Sequence, residues 1–156
     1  MKKTKEYWLL EKAENNDIRA VLSILKQGVS VETKDKDGYT PLHIAAEHGY
    51  SELAFLLLFV YSANPDVKAK HGVTPLHIAA LEGQEDIISI LLENGANPNP
   101  YDLFGYNPLN LAHEHGYLDI VELLEAYGVS NDTGSPFPEE KFMYSVSGSS
   151  NSLDSC

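Results

Sequence analysis

Apolar positions along this chain fall into two alternating blocks. In one, Leu42, Ile44, Ala45 and Ala46, and again Leu76, Ile78, Ala79 and Ala80, form a short apolar face behind a Thr-Pro pair. In the other, Ile87, Ile88, Leu91 and Leu92, and later Ile120, Val121, Leu123 and Leu124, recur at helical spacing. The pattern predicts paired short helices. The first of each pair opens at Pro41, Pro75 or Pro108, where a missing N–H costs nothing. Thr40 and Thr74 supply N-cap oxygens there. Gly49, Gly83 and Gly116 should end these helices in a left-handed cap. The second helices should cover 51–60, 85–93 and 118–126, and Asp37-Gly38, His71-Gly72 and Phe104-Gly105 mark the tight turns between pairs.

The blocks are copies of one unit. TPLHIAA at Thr40–Ala46 returns unchanged at Thr74–Ala80, an offset of 34, and NPLNLAH follows from Asn107. Stepping back 33 residues reaches YWLLEKA at Tyr7, with Asn16 in the place of the helix-ending glycine. Gly28, Gly95 and Gly128 hold a second common phase, where the second copy has Tyr61-Ser62 and one extra residue. One such unit cannot bury its apolar face alone, so stability is a sum over stacked neighbours.

These residues, with the Gly-Ala-Asn-Pro-Asn run at 95–99, resemble the ankyrin-repeat family over roughly 5–129. The resemblance implies an all-α solenoid of four helix-turn-helix repeats linked by β-hairpin loops. The expected divisions are an ankyrin-repeat domain at 1–129, with repeats at about 5–37, 38–71, 72–104 and 105–129, and a Ser-rich flexible tail at 130–156. The first copy is polar on its outer side, as a terminal unit must be. The fourth, with Asn107 and Asn110 for Thr and His, reads as a C-terminal cap.

Charge narrows the function. The chain has 156 residues, with 11 Lys+Arg against 23 Asp+Glu. A net charge of −12 opposes general nucleic-acid binding and adhesion to anionic lipid. The longest apolar run, Leu53–Tyr61, is nine residues, against about 20 for a bilayer span. Glu6 and Glu11 interrupt any apolar stretch of a secretory leader. The lone cysteine, Cys156, excludes a disulfide framework and suits a reducing, cytoplasmic home, with export as an effector the alternative.

Catalytic chemistry is not assembled in the sequence. The resemblance makes His43 and His77 structural, bridging the Thr hydroxyl and the backbone of adjacent repeats. His113-Glu114-His115 looks like a ligand cluster, but successive helical residues point apart. No phosphate-cradling glycine loop is present. The expectation is a non-enzyme with no cofactor and no metal.

The expected activity is protein binding through hairpin tips and the concave helix face, as the resemblance implies. By position, the expected contact residues are Lys36, Tyr39, Lys70, Leu81, Tyr101, Leu103, Phe104 and Tyr106. Tyr101, Phe104 and Tyr106 make an aromatic tip, the composition of interface anchors. The partner is expected to carry an acidic patch beside an apolar anchor. Between His71 and Glu140 there is no Lys or Arg against 12 Asp+Glu, a field that steers basic partners. A specific inhibitor of a partner enzyme such as a protein kinase, or a bacterial ankyrin effector, is the alternative.

The helix at 53–61 departs from the pattern. Phe55 stands where Ser89 and Glu122 stand in later copies, and Phe59 lies one turn on. Either the inserted residue rewinds the helix end and buries both rings, or they form a convex apolar patch. Such a patch would receive a partner, a second copy in a homodimer, or Phe137, Phe142 or Tyr144 of the tail.

Overall fold

A computed structural model describes residues 2–130 of the chain. Met1 and residues 131–156 lie outside the described residues, and with them the expected tail and its Phe137, Phe142 and Tyr144. Among the described residues, eight α-helices pair in sequence: α1 (Lys5–Glu14) with α2 (Ile18–Lys26), α3 (Pro41–His48) with α4 (Ser51–Phe59), α5 (Pro75–Glu82) with α6 (Glu85–Glu93), and α7 (Pro108–His115) with α8 (Leu118–Ala126). The inner helices α1, α3, α5 and α7 pack in a row, and α4, α6 and α8 follow in a second row behind them. No described residue belongs to a regular β-ladder, so the hairpin loops are tight turns rather than strands.

The helix boundaries follow the expected signals. Thr40, Thr74 and Asn107 are the N-caps of α3, α5 and α7, each accepting a bond from the amide three residues on. The helices close at Gly49, Gly83 and Gly116 with φ of 72°, 74° and 72°. Asn16 takes the same left-handed conformation in the first unit, at φ 53°. Asn is one of the few side chains that tolerates it. The first unit differs at its start: α1 opens at Lys5, ahead of Tyr7, because Thr4 caps it and accepts from the Tyr7 amide at 3.3 Å.

The core is a continuous sheet of Leu, Ile and Ala between the two helix rows. Leu42, Ile44, Ala45 and Ala46 in α3 are buried, as are Leu76, Ile78, Ala79 and Ala80 in α5. The paired alanines leave room for the neighbouring helix to approach. Leu53 and Leu57 of α4 are fully buried, each contributing about 1.5–3 kcal/mol.

The inserted residue in the second unit is absorbed at the end of α4. Val60 stays helical, the Tyr61 amide reaches back to the Leu56 carbonyl, and Ser62 turns left-handed at φ 53°. Tyr61 packs partly against the core. Phe55 and Phe59 do not: they are 45% and 70% exposed, stacked 5.1 Å apart. The insertion therefore leaves these rings outside.

Candidate functional site

Three turns project from the row of inner helices. Each is closed by a backbone bond across its base, from the Asp35 amide to the Tyr39 carbonyl at 3.0 Å, Ala69 to Val73 at 2.8 Å and Asp102 to Tyr106 at 2.9 Å, with the tip glycine amide donating back to the carbonyl of Asp35, Ala69 or Asp102. In the first and third, an aspartate braces the tip from inside. Asp35 Oδ1 accepts from the Asp37 and Tyr39 amides, and Asp102 Oδ1 from the Phe104 and Tyr106 amides. Ala69 has no such oxygen. The second tip instead winds into a single 3-10 turn, Lys70–Gly72, with His71 left-handed at φ 63°.

The tips are tied to one another. The Lys70 amide donates to the Asp37 carbonyl at 2.9 Å, and the Leu103 amide to the His71 carbonyl at 2.8 Å. Lys34 Nζ donates to the Lys68 carbonyl at 2.9 Å. A Cβ on Gly38 would stand 3.1 Å from the Lys70 nitrogen and 3.2 Å from the Ala69 Cα, so this close approach requires glycine. The row is thus held as one surface by main-chain bonds that do not depend on the tip side chains.

The expected contact residues fall into three sets. Lys36, Lys70 and Leu103 are exposed at the tips, Leu103 at 60%. Tyr39, Leu81 and Phe104 are half-buried and lean on the core, and Tyr101 is half-buried as well. Tyr39 stacks on the His43 ring at 5.4 Å, and burial raises its hydroxyl pKa. Phe104 lies 5.2 Å from the His71 ring. Tyr106 differs from the expectation. It is 3% exposed and belongs to the core, because it ends the descending arm of the tip just before the Asn107 cap. The exposed apolar side chain of this tip is therefore Leu103, with Phe104 half-buried beside it.

Behind the tips, Thr-His pairs link successive units. The Thr40 amide donates to His43 Nδ1 at 3.2 Å, which leaves Nε2–H to donate to the Val73 carbonyl at 3.0 Å. The Thr74 amide and His77 Nδ1 repeat this at 3.1 Å, and His77 Nε2–H donates to the Tyr106 carbonyl at 2.9 Å. Burial lowers the His43 pKa to about 4 and lowers that of His77 as well. Both rings are neutral structural struts. Asn110 replaces the histidine in the fourth unit, and its Oδ1 accepts from the Asn107 amide at 3.0 Å.

The far ends of the inner helices carry Glu47, His48, Leu81, Glu82, Glu114 and His115. His48 Nε2 meets Glu14 Oε2 at 2.9 Å and its ring stacks on Tyr50. The Tyr50 hydroxyl in turn donates to the Glu14 carbonyl at 3.0 Å. Glu14, Glu47 and His48 each place one ligand atom within 4.8 Å of the others, a geometry a metal ion could share. Sequence reasoning missed this group because Glu14 comes from the previous unit. The His113-Glu114-His115 run does not converge: His115 Nδ1 bonds to the Leu111 carbonyl of its own helix.

Row-like tips on a helical stack define a repeat-built interaction scaffold. A family model described as ankyrin repeats (3 copies) matches residues 9–102 and, again, 50–134. The chain belongs to the ankyrin-repeat family, whose members are generally protein–protein interaction modules and typically non-catalytic. Over 61 residues, 38% of this chain, it is 46% identical to ankyrin repeat domain-containing protein 49 of Drosophila melanogaster. Over 44 residues, 28% of the chain, it is 46% identical to delta-latroinsectotoxin-Lt1a of Latrodectus tredecimguttatus. The matched stretches span 28% and 4% of those proteins' own lengths. Among the described residues, no helix is long and apolar enough to cross a membrane.

Proposed function

We propose that this protein is a non-enzymatic binding module that holds a partner protein against its row of tips. Leu103 and Phe104 form the apolar anchor point, with Tyr101 beside them. Lys36 and Lys70 set the orientation of an acidic stretch in the partner. Leu81 extends the contact onto the concave helix ends. The observation that carries this reading is a large aliphatic side chain standing 60% exposed at a tip whose backbone is fixed by the neighbouring one. A rigid, preordered surface loses little entropy on binding. The lysines contribute more to encounter rate than to affinity, since exposed charge pairs are screened.

The test is a quantitative pull-down from native lysate with two baits. One is the intact chain; the other carries Tyr101→Ala, Leu103→Ala and Phe104→Ala, with its fold checked by circular dichroism. A protein retained by the first and lost by the folded second supports the tip surface. Identical retention by both overturns it.

A further inference from the structure

The fourth unit ends as the second and third do. The Val129 amide bonds to the Leu124 carbonyl at 3.2 Å, just as Ala96 bonds to Leu91 at 3.0 Å and Ala63 to Leu57 at 2.9 Å. Gly128 and Gly95 share a left-handed backbone, at φ 84° and 87°. Val129 is buried, like Ala96 and Ala63. Through this point the chain is therefore aimed along the path its predecessors take.

That path leads onto the preceding tip. From Asn64, the chain climbs to Lys70, whose amide caps Asp37 of the first tip. From Asn97 it climbs to Leu103, whose amide caps His71 of the second. The sequence supplies material for one more climb. Residues 130–137 read Ser-Asn-Asp-Thr-Gly-Ser-Pro-Phe, and Phe137 stands 33 positions after Phe104, the same step that separates Phe104 from His71, whose rings lie 5.2 Å apart; Pro136 takes the place of Lys70 and Leu103 and has no N–H to repeat their bond. Seven residues carry the chain from Asn97 to Phe104, and seven separate Ser130 from Phe137. Pro138 then replaces the tip glycine, Gly105, so the period stops at the rising arm.

We infer that residues 131–137 dock on the third tip as a half-hairpin, with Phe137 laid against Phe104 and Leu103. The segment is a cap supplied by the chain itself. It covers the apolar anchor that the proposed binding surface uses, so arm and partner compete; that consequence rests on the reading above. Tethering favours the arm through its high effective concentration. A partner must then offer more than one apolar contact, and the tip lysines supply the second.

Hydrogen exchange on the intact chain tests the docking without any partner. Amides of 131–137 should exchange at least ~10-fold more slowly than those of 147–156, as a docked segment does relative to a frayed end. Phe137→Ala should abolish that protection and leave α7 and α8 unchanged. Equal exchange in the two stretches overturns the docking. Protection that survives Leu103→Ala with Phe104→Ala but disappears in Phe55→Ser with Phe59→Ser overturns it too, since the segment would then sit on the convex patch. For the competition, Phe137→Ala should raise partner retention in the pull-down several-fold. Unchanged retention with a protected arm overturns the competition alone.

Discussion

His77 Nε2 lies 2.9 Å from the carbonyl oxygen of Tyr106, joining α5 to the tip of the next unit. His43 makes the same strut to Val73 one unit earlier. Each bond requires a neutral ring, because Nδ1 must accept from the threonine amide. Burial holds the folded His43 pKa near 4, below its ordinary 6.5. The unfolded chain therefore takes up the proton first. The stabilisation is complete above pH 6.5 and is lost as pH falls towards 4, at about 1.4 kcal/mol per pH unit for each fully displaced histidine. Urea midpoints measured from pH 7.5 to 4.5 should fall steadily. His43→Gln, which forgoes the titration, should flatten part of the slope while lowering stability at pH 7.5.

Tyr106 and Leu103 lie three positions apart with opposite roles. Tyr106→Ala removes a buried ring and should cost about 3–5 kcal/mol, the range for large aromatic truncations. Leu103→Ala should change stability by less than about 0.5 kcal/mol, as exposed positions do. Chemical denaturation of both variants checks this. A large loss for Leu103→Ala would mean the side chain is packed.

The tip-to-tip approach can be isolated with two glycines. Both Gly38 and Gly28 have left-handed φ, 79° and 91°, but only Gly38 faces a neighbour within 4 Å. Gly28→Ala should cost about 1 kcal/mol from backbone strain, and Gly38→Ala about 1–2 kcal/mol more from collision with Ala69 and Lys70. Equal losses in thermal melts would show that the tips can part freely.

Ser62 occupies the conformation that Gly28, Gly95 and Gly128 hold in the other units. A non-glycine residue there is strained, so Ser62→Gly should stabilise the protein by about 0.5–1 kcal/mol. A melting temperature unchanged or lowered would contradict this account of the insertion.

Phe59 is mostly exposed and Phe55 half-buried, both outside the core. Phe55→Ser with Phe59→Ser should cost no more than about 1–2 kcal/mol, less than truncating a core leucine of α4, and should lower binding of a dye specific for exposed apolar surface. Light scattering of the same pair addresses the homodimer: if a second copy covers this face, the intact chain is dimeric and the variant monomeric.

Much of the architecture is local in origin. Thr40-Pro41 and Thr74-Pro75 set where inner helices begin, and Gly49, Gly83 and Gly116 where they stop, because caps and left-handed turns are decided within a few residues. The 33-residue step then fixes stacking, since each unit's apolar face can only be buried by its copy. Periodicity also put Phe55 at the position of Ser89 and Glu122, but left open whether the inserted residue would bury it with Phe59.

What the sequence alone left open depended on groups from different units. Tyr101, Phe104 and Tyr106 read alike, yet only packing into the core buries Tyr106, while Leu103 is left exposed. Whether Phe55 and Phe59 would be rewound inward turned on how Val60, Tyr61 and Ser62 share the extra residue. The bond from Leu103 to His71 and the meeting of Glu14 with His48 join residues over 30 positions apart. Side chains of one type are sorted into anchors and struts by their neighbours in space, and only the folded stack supplies those.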